Sequence, residues 1–165
     1  MASAVRARGV TRGVAICSAA LCSILAGFAH PAAASAPLVA TGGFTFLEDT
    51  LTPIRTADGT LFLHEVASIS YTGDLAGVVT ATDTIIVHSD GSVSGHGSEA
   101  CVLCTIGGRT GSFTAVFAFS GSGGNFTGHE TFTSGAGGLD GLHGGGTFTG
   151  SPLGNTYSFR YQFAP

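Results

Sequence analysis

The chain of 165 residues contains no lysine. That absence removes two chemistries at once, because a phosphate-cradling P-loop needs its lysine and a Schiff base needs a side-chain amine. Cations of any kind are scarce beyond residue 36, where Arg55, Arg109 and Arg160 stand against ten acids, a formal charge of −7. Such a balance repels phosphodiester backbones and anionic lipid, so nucleic acid and acidic membranes are poor partners. Helical periodicity is almost missing after Gly43. No serine occupies a Gly-x-Ser-x-Gly elbow, so Ser-His-Asp hydrolysis lacks its nucleophile position. The glycine-rich interval Gly135 to Gly146 fails the dinucleotide fingerprint: its spacing is wrong, no apolar parallel strand precedes it and no helix follows.

Residues 1–36 have the layout of a secretory signal peptide. Arg6, Arg8 and Arg12 form a positive start, Val14 to Ala29 is an apolar stretch too short to span a bilayer comfortably, and Ala32 to Ala36 offers small residues for cleavage. Cleavage after Ala34 is favoured over Ala36, which would place rigid Pro37 beside the scissile bond. A retained anchor is the alternative, but no charged flank follows the apolar run. The absence of paired arginines favours the general secretory route over the twin-arginine one. Cys17 and Cys22 lie inside this segment and would leave with it. The expected location is therefore secreted or extracytoplasmic, with no stable membrane insertion after processing. Residues 37–42 read as an exposed lead-in and 43–165 as a single domain.

What the chain does have is glycine, 27 residues, and phenylalanine, 12 residues. From Ile106 to Ser120 a glycine turn runs into a strand whose alternate residues Phe113, Ala115, Phe117 and Phe119 share one face. The tetrapeptide Gly-x-Phe-Thr recurs at Gly42, Gly111, Gly124 and Gly146 at irregular spacing, as a repeated way of entering a strand and not a solenoid. Strands are expected over about 44–54, 60–71, 77–88, 92–101, 112–120, 125–133, 146–150 and 156–163. Ala57-Asp58-Gly59, Ser89-Asp90-Gly91 and Ser122-Gly123-Gly124 supply hairpin turns between them. Eight short strands with tight turns predict an all-β fold, a small eight-stranded antiparallel barrel or sandwich. The interval 135–146 reads as a loop capping one end through Leu139 and Leu142.

Four blocks in order, Tyr71 to Gly77, Ile106 to Phe113, Gly135 to Gly146 with its Leu-x-Gly-Leu-x-Gly core, and Tyr157 to Tyr161, resemble those of a bacterial family of unknown function. That family is assigned the allene oxide cyclase-like barrel, a calycin-like architecture whose wider relatives include plant allene oxide cyclases and dirigent proteins. The resemblance covers roughly residues 71–163 and rests on glycines and apolar residues, so it implies a fold more than an activity. The chain departs from the family in having no tryptophan, in having Gly138, His143 and Gly145 where charged side chains are usual, and in carrying Cys101 and Cys104. The family carries a glutamate at the place of Glu99.

Three carboxylates interrupt otherwise apolar strand faces: Glu65 among Leu61, Leu63, Ala67 and Ile69; Glu130 among Phe126, Gly128 and Phe132; and Glu99 in register with Val93, Gly95 and Gly97. If these faces line the barrel, each acid has a raised pKa and can orient a ligand or move a proton. A bulge would instead turn any of them to solvent. Phe113, Phe117, Phe119, Tyr157 and Tyr161 are candidate ligand contacts, and Arg109 is a candidate counter-ion, although a glycine turn usually leaves such a residue solvated.

Cys101-Val102-Leu103-Cys104 admits three readings. In an exported protein a disulfide comes first; residues three apart on a regular strand face opposite ways, so the bridge would need the chain to turn at Val102-Leu103. Free or redox thiols lack the helix that a thioredoxin-like site requires, and zinc with His96 would have no second cysteine pair. His64, His88, His129 and His143 are dispersed, and no metal or cofactor is expected. The functions left are a binding module for a small apolar molecule, a cofactor-free isomerase or cyclase using Glu65, Glu99 or Glu130, and a structural role in the cell envelope.

Overall fold

Glycine pairs placed between runs of alternating apolar and small polar residues leave the chain one regular option, a meander of antiparallel hairpins. The computed structural model describes residues 36–164 of the protein; the expected signal peptide apart from Ala36, its expected cleavage site, Cys17 and Cys22 lie outside the described residues. Eight strands follow in order: β1 (Leu38–Ala57), β2 (Thr60–Gly73), β3 (Leu75–Val87), β4 (Val93–Ile106), β5 (Arg109–Ser122), β6 (Asn125–Gly137), β7 (Leu142–Ser151) and β8 (Gly154–Phe163). Each pairs with its neighbour, and β1 also pairs with β8 from Leu38 opposite Tyr161 to Phe44 opposite Asn155, which closes the sheet into a ring. Closure satisfies both edges of the sheet within the molecule. No helix among the described residues is long and apolar enough to cross a membrane.

The turns follow from backbone conformation. Asp58 and Gly59 have φ of 48° and 75°, Gly107 and Gly108 59° and 76°, and Gly123 and Gly124 59° and 79°. Two successive positive φ values give the turn whose twist matches that of the flanking strands. At the β3–β4 connection Asp90 accepts hydrogen bonds from the Ser92 N–H at 2.9 Å and its hydroxyl at 2.7 Å.

All eight expected strands are present, most of them longer than their sequence signals. Two expectations need correction. Residues 38–42 are not a lead-in outside the sheet, although Leu38, Val39 and Thr41 are exposed: they begin β1, pair with β8, and are tied to the β2–β3 turn by the Thr41 N–H on Asp74 Oδ2 at 2.9 Å. Most of the interval 135–146 is not loop either. Gly135–Gly137 continue β6 against β5, and Leu142–Gly146 belong to β7, opposite Phe163 to Phe159 of β8. Glycine has little strand preference of its own, but the ring needs a strand here, and its two neighbours supply the hydrogen bonds. Only residues 138–141 turn, and they fulfil the capping role, since Leu139 is fully buried and Leu142 nearly so.

The interior is divided along the axis. Near the turns at 74, 107–108 and 138–141 it is solid, filled by Leu75, Ile106, Leu139, Cys104 and Phe159. Tyr157 stitches this end together: its hydroxyl accepts the Leu75 N–H at 2.8 Å and faces the Thr72 and Leu75 carbonyl oxygens at 3.1 and 3.0 Å. Toward the opposite turns phenylalanines surround an open space.

Cys101 and Cys104 are paired as a disulfide with Cα atoms 6.0 Å apart. The chain does not turn to make it. Val102 and Leu103 together face the single residue Ser112 of β5, a β-bulge that lets β4 continue while putting both cysteines on the inner face. The two intervening side chains are pushed into solvent, 87% and 71% exposed.

Candidate functional site: a carboxyl-bearing aromatic cavity

Alternation places every second side chain of each strand inside the ring. β2 thereby contributes Glu65, Ala67, Ile69 and Tyr71; β3 contributes Val79, Ala81 and Asp83; and β6 contributes Glu130 and Phe132. The bulges of β1 and β4 and the register shift of β6 lie away from the carboxylates, so strand parity survives where it matters. Glu99 sits opposite Ala81 and Ala115, two small neighbours that leave room around it. Gly97 does the same for Asp83, because a β-carbon there would collide with the Asp83 side chain.

The resulting cavity is about 210 Å³ and is bounded by Phe44, Phe46, Phe117, Phe119, Phe126 and Phe148, with Tyr71, Ile69, Ala81 and Ile85. Its rings pack edge to face, as in Phe44–Phe148 with centroids 6.2 Å apart and Phe117–Phe148 at 6.3 Å. Into this apolar space project Glu65, Glu99 and Glu130. Among the described residues no arginine, lysine or histidine lines it.

The acids form two pairs. Glu99 and Glu130, each 3% exposed, hydrogen-bond one another and share Tyr71, whose hydroxyl lies 3.2 Å from Glu99 Oε2 and 3.3 Å from Glu130 Oε2. A hydroxyl has one proton to give, so it cannot serve two carboxylates fully; a protonated carboxyl is required to complete the trio. Burial pushes the Glu99 carboxyl up to about 7, against the lowering effect of its bonds to Glu130 and Tyr71. Glu130 is driven well above the carboxylate range by burial and then by the neighbouring Glu99 charge. The Tyr71 hydroxyl is raised as well, first by burial and then by the two acids, so it stays protonated.

The second pair is Glu65 and Asp83, direct partners across β2 and β3. Burial, then the hydrogen bond and charge of Asp83, with Asp49 adding to both, raise Glu65 to about 9. Asp83 is raised by burial, offset in part by its hydrogen bond from Glu65. With every acid ionised, both Asp83 oxygens, Glu99 Oε1 and Glu130 Oε1 would be buried with no donor in the protein. One proton held by each pair relieves part of that deficit.

Of the residues singled out from sequence, Glu65, Glu99, Glu130, Phe117 and Phe119 meet at this cavity. Phe113, Tyr157 and Tyr161 are buried but belong to the packed end, and none of them lines it. Arg109 is exposed on the rim of that end, its guanidinium 4.1 Å above the Phe163 ring. Sequence reasoning missed Asp83 and Tyr71. Asp83 carried a usable signal, since Val79, Ala81, Ile85 and Val87 share its register. Tyr71 shares the register of Glu65, Ala67 and Ile69, but a tyrosine at a strand end reads as packing and its contact with two acids is not visible in that pattern. Among the described residues no group of three or more His, Cys, Asp or Glu side chains is arranged to hold a metal ion.

No protein-family model and no curated protein matches the chain. Among solved structures, the fold is similar to that of a protein of unknown function from the DUF3224 family of Shewanella oneidensis MR-1, with a TM-score of 0.65 and 23% identity over 78% of this chain and 98% of that one. The likeness is one of fold: an all-β chain of eight antiparallel strands in a ring, similar to a member of a bacterial family of unknown function.

Proposed function

We propose that this protein is an exported binding module that holds a small, largely apolar molecule inside a barrel of the allene oxide cyclase-like, calycin-like type. The observation that carries the reading is the 210 Å³ cavity walled by six phenylalanines in a ring otherwise well packed. Unfilled apolar space weakens a fold, so a space this size is more readily kept by use than by chance. Export is supported by the leader and agrees with a disulfide, which persists in oxidising compartments. Native mass spectrometry of protein purified from its own host is expected to find a retained lipophilic molecule; consistently empty protein would overturn the reading.

Glu99 favours a second reading, a cofactor-free isomerase or cyclase acting on a lipophilic substrate. A carboxyl held near 7 beside a protonated tyrosine is matched to proton transfer at neutral pH, and the cavity would hold a reactive chain in one conformation. Turnover should then fall about 100-fold or more in Glu99→Gln with the fold intact. Rates unchanged from the parent protein in both Glu99→Gln and Glu65→Gln would remove the proton-transfer role.

A further inference from the structure

An apolar ligand alone does not account for the acids. Filling the cavity with hydrocarbon would offer neither hydrogen bond nor charge to Glu99 Oε1 and Glu130 Oε1, which are shut off from water and lack a donor among the described residues when both acids are ionised. The polar side chains lining the cavity are Glu65, Glu99, Glu130 and Tyr71, all acids or acceptors, and the remaining walls present π-faces. Carboxylates and ring faces attract the same kind of group, a cation. We propose that the cavity takes a protonated amine: a small molecule with an apolar body lying among the phenylalanines and a primary ammonium group seated between Glu99 and Glu130. This rests on the cavity being a ligand site and narrows the class of ligand.

The ammonium is suited to the trio in detail. Once the two carboxyls part to admit it, its three N–H donors can satisfy Glu99 Oε1 and Glu130 Oε1, which are closed to solvent in this structure, leaving Oε2 of each to Tyr71. Its charge replaces the shared proton: as the cation enters, the Glu99–Glu130 pair releases a proton to solvent and becomes the counter-ion. The titratable groups facing this position are Glu99 from β4, Glu130 from β6 and Tyr71 from β2, with Glu65 of β2 on the cavity wall, Asp83 of β3 paired to Glu65, and Asp49 of β1 beside Glu65. All are acids. Cation binding therefore strengthens as pH rises through the range in which the pair gives up its proton, until the amine itself deprotonates.

Calorimetric titration at about pH 8 with matched probes tests this: n-butylamine, 2-phenylethylamine and n-octylamine, each against its alcohol, with phenylacetate as the anionic control. The expected result is that at least one amine binds about 10- to 100-fold more tightly than its alcohol. Its enthalpy should vary with the buffer's ionisation heat by the release of up to one proton, and phenylacetate should not bind. In Glu99→Gln and Glu130→Gln the amine preference and the proton release should be lost while alcohol binding persists. The wild-type buffer dependence stands even if a variant fails to fold. Amines and alcohols binding equally would overturn the cation and leave the apolar-pocket reading in place. Tighter phenylacetate would overturn the cation in favour of protonated acids as donors, and no binding by any probe would count against both readings.

Discussion

At the scale of single residues, the polar groups of the interior do two different jobs. Tyr157 is structural. Its hydroxyl satisfies the Leu75 N–H in the packed end, so Tyr157→Phe leaves a buried donor without a partner and should cost about 1–3 kcal/mol in urea unfolding. No change in the unfolding midpoint would show that the Leu75 N–H finds another acceptor. Tyr71 uses the same chemistry in the cavity, where its hydroxyl joins two acids from strands far apart in sequence. Period-2 alternation made Glu65, Glu99 and Glu130 legible as inward candidates, and Asp83 could have been found the same way. That Glu99 and Glu130 touch was not legible. They are separated by β5, and only the tilt and curvature of the closed ring bring them to one hydroxyl.

At the scale of elements, β4 shows how an irregularity is used. Its bulge shifts strand parity from odd, at Glu99 and Cys101, to even, at Cys104 and Ile106, which turns both cysteines inward and allows the bridge without ending the strand. The loop closed by this disulfide is short, so its removal has little entropy to release. Cys101→Ser with Cys104→Ser should cost about 2 kcal/mol, measured as a shift in the urea midpoint, and the protein should still fold. Failure to fold would mean that the bulge itself depends on the bridge. Gly77 is bound to the same feature: its φ is 144°, and a β-carbon there would run into Cys104 Sγ. β7 is the element least visible in sequence, because Gly144-Gly145-Gly146 carries no strand preference and is held extended by its neighbours on both sides.

At the scale of the whole molecule, a ring whose described residues include four buried acids and no buried base has a stability that depends on pH. Folding raises Glu65 from an ordinary 4.5 to about 9 and Glu99 from 4.5 to about 7. The folded state thus holds more protons than the unfolded one between these limits, so stability is fullest below about pH 4.5 to 5 and declines as pH rises through 7 and toward 9. Asp90, exposed and lowered by its bonds to Ser92, acts in the opposite sense, but only in more acid solution. Thermal unfolding near pH 5, 7 and 9 should give a falling midpoint, and Glu65→Gln with Glu99→Gln should flatten it. A midpoint that rises over this range would mean that the acids are ionised in the folded protein.

The sequence by itself determined the class of fold, the number and order of the strands, the positions of three hairpin turns and the inward parity of three acids. Each of these is local, set by glycine at positive φ or by alternation over a few residues, and so survives in a one-dimensional record. Only the tertiary structure decided which inward residues meet. Ring closure drew residues 38–42 and the glycines of β7 into strands, assigned Phe113, Tyr157 and Tyr161 to the packed end, and left Phe117 and Phe119 around a cavity. It also joined Glu99, Glu130 and Tyr71 into one buried trio. Those outcomes depend on strand tilt, register and the bulges of β1 and β4, which combine over the whole circumference and leave no signature in any one stretch of chain.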